Sequence, residues 1–211
     1  MIGGMALLAA LALGGGSSGA APSCFGKAPT IVGGPGDDHL GGTDFDDVIY
    51  LGHGDDVVDA HEGNDYVCGG DGDDELHGGD GSDHSDGGEG ADFVDGRRGL
   101  NDTTIGGGGP DLILGGSVIK GGSGDDNLDS SAYLREVGVD KVSGGPGDDS
   151  ISGDGRSFHN KGERLDGGSG DDVIRGKGGN DTIDGGSGTD ECRQDSGSGP
   201  VRNCEASSRR R

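Results

Sequence analysis

Aspartate recurs through this 211-residue chain at an interval of nine. Written in nines from Gly33, the sequence reads GGPGDDHLG, GTDFDDVIY, LGHGDDVVD, AHEGNDYVC, GGDGDDELH, GGDGSDHSD and GGEGADFVD, ending at Asp95. The sixth place of every block is Asp: Asp38, Asp47, Asp56, Asp65, Asp74, Asp83 and Asp92. The phase then slips and recovers. GRRGLNDTT, Gly96 to Thr104, carries Asn101 where Asp is due. Asp111, Asp126, Asp140 and Asp149 follow in the sixth place, around a shortened block (Gly115 to Lys120) and insertions at Ser130 to Leu134 and Gly153 to Ser157. Glu163 occupies that place in the next block, and Asp172, Asp181 and Asp190 close the array. Carboxylates at a fixed interval become a ligand set if the backbone brings the intervals into register. Calcium suits such a set, because it accepts about six to eight oxygens at ~2.3–2.6 Å in flexible geometry. Magnesium demands strict octahedral geometry and keeps its waters, and zinc prefers N and S ligands.

The elements that could position these carboxylates are legible in the same blocks. Places one to six are Gly-rich and suit a tight turn, because Gly tolerates positive φ and close backbone approach. Places seven to nine alternate polar, apolar, polar, which is a short strand with one inward side chain. The inward eighth place is Leu40, Ile49, Val58, Val67, Leu76 and Val94, with Ser85 the exception before Asp95. Two blocks make one coil with a turn on each side, and coils stack at the β spacing of ~4.8 Å. Asp38 then lies beside Asp56, and Asp47 beside Asp65. Like charges so placed repel by about 1 kcal/mol per pair in water and roughly 3–4 kcal/mol at an effective dielectric of ~20. Summed along a column, that rivals the ~5–15 kcal/mol stability of a domain, so a cation is expected to drive folding. The expected fold is all-β, a parallel β-roll or right-handed β-solenoid.

Composition points the same way. The chain has 53 Gly, only 27% apolar and 3% aromatic residues, and 40 Asp plus Glu against 16 Lys plus Arg, for a formal charge of −24. Such a chain resembles a disordered acidic polymer and cannot build a conventional core. The charge argues against nucleic acid and anionic membranes as partners. The fifth-place acids Asp37, Asp55, Asp73 and Asp148 are expected on the surface. His39, His53, His61, His77, His84 and His159 occupy different block places and form no column. The one G-x-S-x-G match, Gly15 to Gly19, lies in the leader, and no C-x-x-C or H-x-x-x-H spacing is present. An EF-hand needs flanking helices, which this Gly density does not support. The expectation is a non-enzyme.

The blocks match G-G-x-G-x-D-x-U-x. On these residues the chain resembles the repeats-in-toxin (RTX, hemolysin-type) calcium-binding proteins, from Gly33 to Arg193. That resemblance implies a β-roll in which the sixth-place Asp and the carbonyls of the glycine turns bind Ca²⁺ between stacked turns. Carried over place by place, the expected ligands are Asp38, Asp47, Asp56, Asp65, Asp74, Asp83, Asp92, Asp111, Asp126, Asp140, Asp149, Asp172, Asp181 and Asp190. Asn101 and Glu163 depart from the motif. The cysteine-bearing ends resemble small secreted bacterial members of this group.

The flanks suggest a compartment. Met5 to Leu13 is a short apolar run followed by small residues to Ala21, which reads as a secretory signal without a preceding Lys or Arg. Four cysteines fit an oxidising environment. They allow Cys24–Cys68 with Cys192–Cys204, two other pairings, or free thiols. The expected layout is a signal over 1–21, an N-terminal cap over 22–32, regular repeats over 33–95, interrupted repeats over 96–143, C-terminal repeats over 144–193 and a cap and tail over 194–211. The expected protein is a secreted, extracellular monomer with several calcium ions, no membrane insertion, and a structural or surface role. The other class is a calcium-binding module of an extracellular enzyme or toxin. The sequence names no protein or polysaccharide partner.

Overall fold

The computed structural model describes residues 22–96, 99, 101–131, 141–155 and 162–207. These residues form two parallel ten-stranded sheets and contain no helix. Strands alternate between the sheets along the chain, giving a β-solenoid of about 9 turns. One sheet runs from Ile31–Val32 through Val48–His53, Tyr66–Asp71 and His84–Glu89 to Val201–Arg202. The other runs from His39–Gly41 through Val57–Asp59, Glu75–His77 and Phe93–Asp95 to Ala206–Ser207. Each strand pairs with the strand one coil on. Ile49 sits opposite Val67 and Val67 opposite Ser85, while Val58 faces Leu76 and Leu76 faces Val94. This is the all-β parallel roll expected from the repeat.

The two sheets are unequal. Full strands of the first sheet have six residues, as in Tyr66–Asp71, and those of the second have three, as in Glu75–His77. The longer strands take in the first three places of the following block. Gly70 shows why this is possible: its φ is +127°, and a Cβ there would lie closer than 3.0 Å to the Gly52 carbonyl of the coil before. Stacking at β spacing leaves no room for a side chain at that place.

The core is a single file of eighth-place side chains between the sheets. Ile49, Val67, Val58, Leu76, Val94, Ile113, Leu128, Ile151, Leu165, Ile174, Ile183 and Cys192 are all at most 1% exposed. Ser85 and Thr104 take the same slot and are as deeply buried. Leu51 and Ala60 stand where the first-place Gly is due and add apolar bulk near the N-terminal end. A fully buried aliphatic side chain contributes about 1.5–3 kcal/mol, so one per half-coil makes a thin core.

Both ends are fastened. Cys24 is bonded to Cys68 and Cys192 to Cys204, which resolves the three pairings open to the sequence. At the N-terminal end the backbone closes a small bridge between Cys24 and Lys27. Phe25 packs edge-on against Tyr66 and His84, and the Lys27 ammonium lies 4.1 Å from the Tyr66 ring centroid. His84 is thus part of an aromatic cap, and no catalytic role is needed to account for it.

Candidate metal centre

Along one side of the roll the sixth-place aspartates form an unbroken ladder. The Asp38 backbone N–H donates to Asp56 Oδ1 at 2.7 Å, Asp56 N–H to Asp74 Oδ1 at 2.9 Å, and Asp74 N–H to Asp92 Oδ1 at 2.8 Å. The same bond joins Asp92 to Asp111, Asp111 to Asp126, Asp126 to Asp149, Asp149 to Asp172, and Asp172 to Asp190, at 2.9–3.0 Å. The interruptions in the repeat do not break this ladder. The shortened block and the insertions fall in the opposite half of their coils, so they change the sequence step between partners and leave the stacking intact.

The opposite side carries a second, interrupted column. Asp47 N–H donates to Asp65 Oδ1, Asp65 N–H to Asp83 Oδ1, and Asp83 N–H to Asp102 Oδ1. Asp102, not Asn101, therefore occupies the sixth place, with Thr104 in the core slot. The extra residue of the slipped block is absorbed in the turn before it, and Asn101 adopts φ +63°. The expected member Asn101 is therefore one residue too early. In the next coil the shortened block offers Ser117, whose N–H donates to the Asp102 carbonyl and whose carbonyl accepts from Lys141. Asp140 lies outside the described residues. The column resumes with Glu163, whose N–H donates to Asp181 Oδ1 and whose carboxylate accepts from Ser130 Oγ and the Asp154 N–H.

In this arrangement one carboxylate oxygen of each aspartate holds the coils together and the other is left over. Oδ2 of Asp56, Asp65, Asp74, Asp83, Asp92, Asp111, Asp126, Asp149, Asp172, Asp181 and Asp190 is buried and accepts no hydrogen bond. A buried charged acceptor without a partner is costly. Burial accordingly pushes the carboxyls of Asp74, Asp83, Asp111 and Asp149 up to about 7 and those of Asp65, Asp92, Asp126 and Asp181 up to about 6. The N–H bond to Oδ1 opposes that rise. The carboxylate one coil away reinforces it at Asp65, Asp74, Asp83, Asp111 and Asp149. Burial likewise raises Glu163 to about 7 and shifts Asp56 and Asp172 upward.

The free oxygens do not stand alone. A Cβ built on Gly69 would lie closer than 3.0 Å to both Asp74 Oδ2 and the carbonyl oxygen of Gly87, one coil on. The same pair of oxygens meets at Gly87, Gly106, Gly121, Gly144 and Gly167, all on the unbroken side. At these turns first-place glycine is required because an acceptor carboxylate and an acceptor carbonyl converge beside it. Two acceptors with no donor between them form a seat for a cation. Among the described residues no group of three or more His, Cys, Asp or Glu side chains could hold a metal by side chains alone. Any ion here would take most of its ligands from backbone carbonyls, as oxygen-loving calcium readily does.

Asp38 and Asp47 differ from the rest. Asp38 Oδ2 accepts the Gly34 N–H, and Asp47 Oδ2 accepts from the Thr43 N–H and Oγ, so hydrogen bonds close the N-terminal end of both columns. The fifth-place acids are exposed, and they make a further ladder that the sequence reading did not anticipate. Asp37 Oδ1 accepts from Asp55 N–H, Asp55 Oδ1 from Asp73 N–H, and Asp148 Oδ1 from Asp171 N–H. These bonds run toward the preceding coil, opposite in direction to the sixth-place bonds.

Comparison with curated proteins and with solved structures returns no match. The family model described as RTX calcium-binding nonapeptide repeat (4 copies) matches residues 32–67, 69–94, 117–132, 137–155 and 160–192. Those segments cover well over half of the chain and carry almost every aspartate of both columns. With the sixth-place ladder, the converging carbonyls and the parallel solenoid in place, the chain belongs to the RTX calcium-binding nonapeptide repeat family.

Proposed function

We propose that this protein is a secreted calcium-binding β-roll whose folding depends on the ion, and that its role is structural or at a surface rather than catalytic. The buried, donor-free Oδ2 atoms beside glycine carbonyls carry the reading. Bound Ca²⁺ would supply the positive charge that these oxygens lack. Sixth-place aspartates would contribute Oδ2 as ligand while Oδ1 holds the preceding coil, and first-place carbonyls would complete the shell. The proposed ligands on the unbroken side are Asp56, Asp74, Asp92, Asp111, Asp126, Asp149 and Asp172, and on the other side Asp65, Asp83 and Asp181. The two disulfides support an oxidising, extracellular setting. Far-UV circular dichroism of the disulfide-intact protein at about pH 7.5 tests the proposal. A disordered spectrum that becomes β-rich on adding calcium in the ~10⁻⁴–10⁻³ M range of extracellular sites is expected. An unchanged spectrum would refute it.

A further inference from the structure

The unbroken column does not stop at the last repeat. Asp190 N–H donates to Glu205 Oε2 at 2.5 Å, so a tail glutamate takes the place that the next coil's aspartate would have. The tail also supplies the missing carbonyl. A Cβ built on Gly185 would lie closer than 3.0 Å to Asp190 Oδ2 and to the Asn203 carbonyl oxygen, just as at Gly167 it would meet Asp172 Oδ2 and the Gly185 carbonyl. Asn203 adopts φ +49°, and the neighbouring Cys204 is bonded to Cys192, whose side chain is 1% exposed in the core file. A tail with no glycine motif is thereby held in the geometry of a repeat.

The chemistry of this closure separates it from a plain cap. At the N-terminal end this column is closed by a donor, the Gly34 N–H, as its neighbour is by the Thr43 N–H and hydroxyl. At the far end the tail brings two more acceptors, Asn203 O and the Glu205 carboxylate. Asp190 Oδ2 is buried there without a hydrogen bond, on a residue 2% exposed. Among the described residues neither Asp190 nor Glu205 is in an ion pair with Lys, Arg or His. Two converging acceptor oxygens, Asp190 Oδ2 and Asn203 O, with the Glu205 carboxylate tied to the same turn through the Asp190 N–H, call for a cation.

We propose that Asp190, Asn203 and Glu205 form a terminal calcium site outside the repeat motif, tethered by the Cys192–Cys204 disulfide. This rests on the calcium reading of the column and extends it to residues of the tail. Equilibrium dialysis against calcium chloride counts ions on the full disulfide-intact chain, and calcium-dependent hydrogen exchange locates them. Glu205→Gln keeps an acceptor for the Asp190 N–H and removes only the charge. It is expected to bind one ion fewer at about 1 mM calcium, and to lose protection at Glu191–Arg193 while turns around Asp74 and Asp92 keep theirs. Asp195→Asn removes a charge from the same tail, where Asp195 pairs with Arg193 off the column, and should leave the count unchanged. An undiminished count in Glu205→Gln, or equal losses in both variants, overturns the terminal site while the repeat sites stand. A wild-type protein that binds no calcium overturns the reading of the whole column, and this site with it.

Discussion

Without calcium, the pH at which this roll unfolds should report on its buried carboxyls. Asp74, Asp83, Asp111 and Asp149 sit at about 7 in the fold against 3.8 for the free side chain. Their folded-state affinity for a proton is raised, so the fold is favoured while they stay protonated. That contribution is fully present below about pH 4 and is lost as pH climbs through about 6–7. Each group costs on the order of 4 kcal/mol to ionise in place, at about 1.36 kcal/mol per pH unit. A few such groups together rival the ~5–15 kcal/mol that stabilises a domain. The calcium-free, disulfide-intact chain should therefore be β-rich near pH 4–5 and disordered near pH 7.5, with a midpoint at about 6 to 7 by far-UV circular dichroism. Millimolar calcium should abolish the transition, because a cation on Oδ2 replaces the proton. A calcium-free midpoint near pH 4 would belong to ordinary surface carboxylates. It would refute the claim that the buried column controls stability, as would a β-rich spectrum at pH 7.5 without calcium.

Two further outcomes follow from the same geometry. In Gly106→Ala the new methyl would crowd both Asp111 Oδ2 and the Gly121 carbonyl, whereas at Gly36 a Cβ meets nothing within 4 Å. Gly106→Ala should raise the calcium midpoint of folding severalfold and Gly36→Ala should leave it in place, as a chelator-buffered titration would show. Asp65→Ala removes the acceptor of the Asp47 N–H and the free oxygen of its own turn. It should weaken hydrogen-exchange protection around Asp47 and Asp83 and spare Asp172 and Asp190, because solenoid stability is a sum of local terms. Asp37→Ala loses only an exposed bond from Asp55 N–H, worth about 0.5–1.5 kcal/mol. Equal, chain-wide loss of protection from both substitutions would place the ligand column elsewhere.

Much of this architecture was legible before the structure. The nine-residue period assigns strand and turn, the eighth place names the core file, and two blocks per coil give the pairing of Ile49 with Val67 and Val58 with Leu76. The slip after Asp95 was harder. In G-R-R-G-L-N-D-T-T both Asn101 and Asp102 have side chains able to accept the Asp83 N–H, but only Asp102 stands four residues before a first-place glycine, Gly106, as Asp83 does before Gly87. The core agrees: stacking under Ser85 requires the residue two beyond the column member, and Thr104 fills that slot only if the member is Asp102. The tail was illegible for a different reason. Its mimicry of a repeat depends on a carbonyl and on the reach of a longer glutamate, and carbonyls leave no trace in residue identity.

The division of labour within each aspartate also changes the electrostatic picture drawn from spacing. Spacing alone puts every cation between two whole carboxylates. In the folded chain Oδ1 is committed to the N–H of the preceding coil, leaving Oδ2 buried without a hydrogen bond. On the proposed reading the same side chain is both tie and ligand. A coil that shifted enough to lose its ion would also strain its backbone bond, and a broken ladder bond would misplace the ligand. The fifth-place bonds, directed the opposite way, limit sliding in the other sense. The proposal thus couples folding and ion loading coil by coil through single residues. This explains how a chain with so thin a core can be expected to order cooperatively, and why most turns keep both their carboxylate and their first-place glycine.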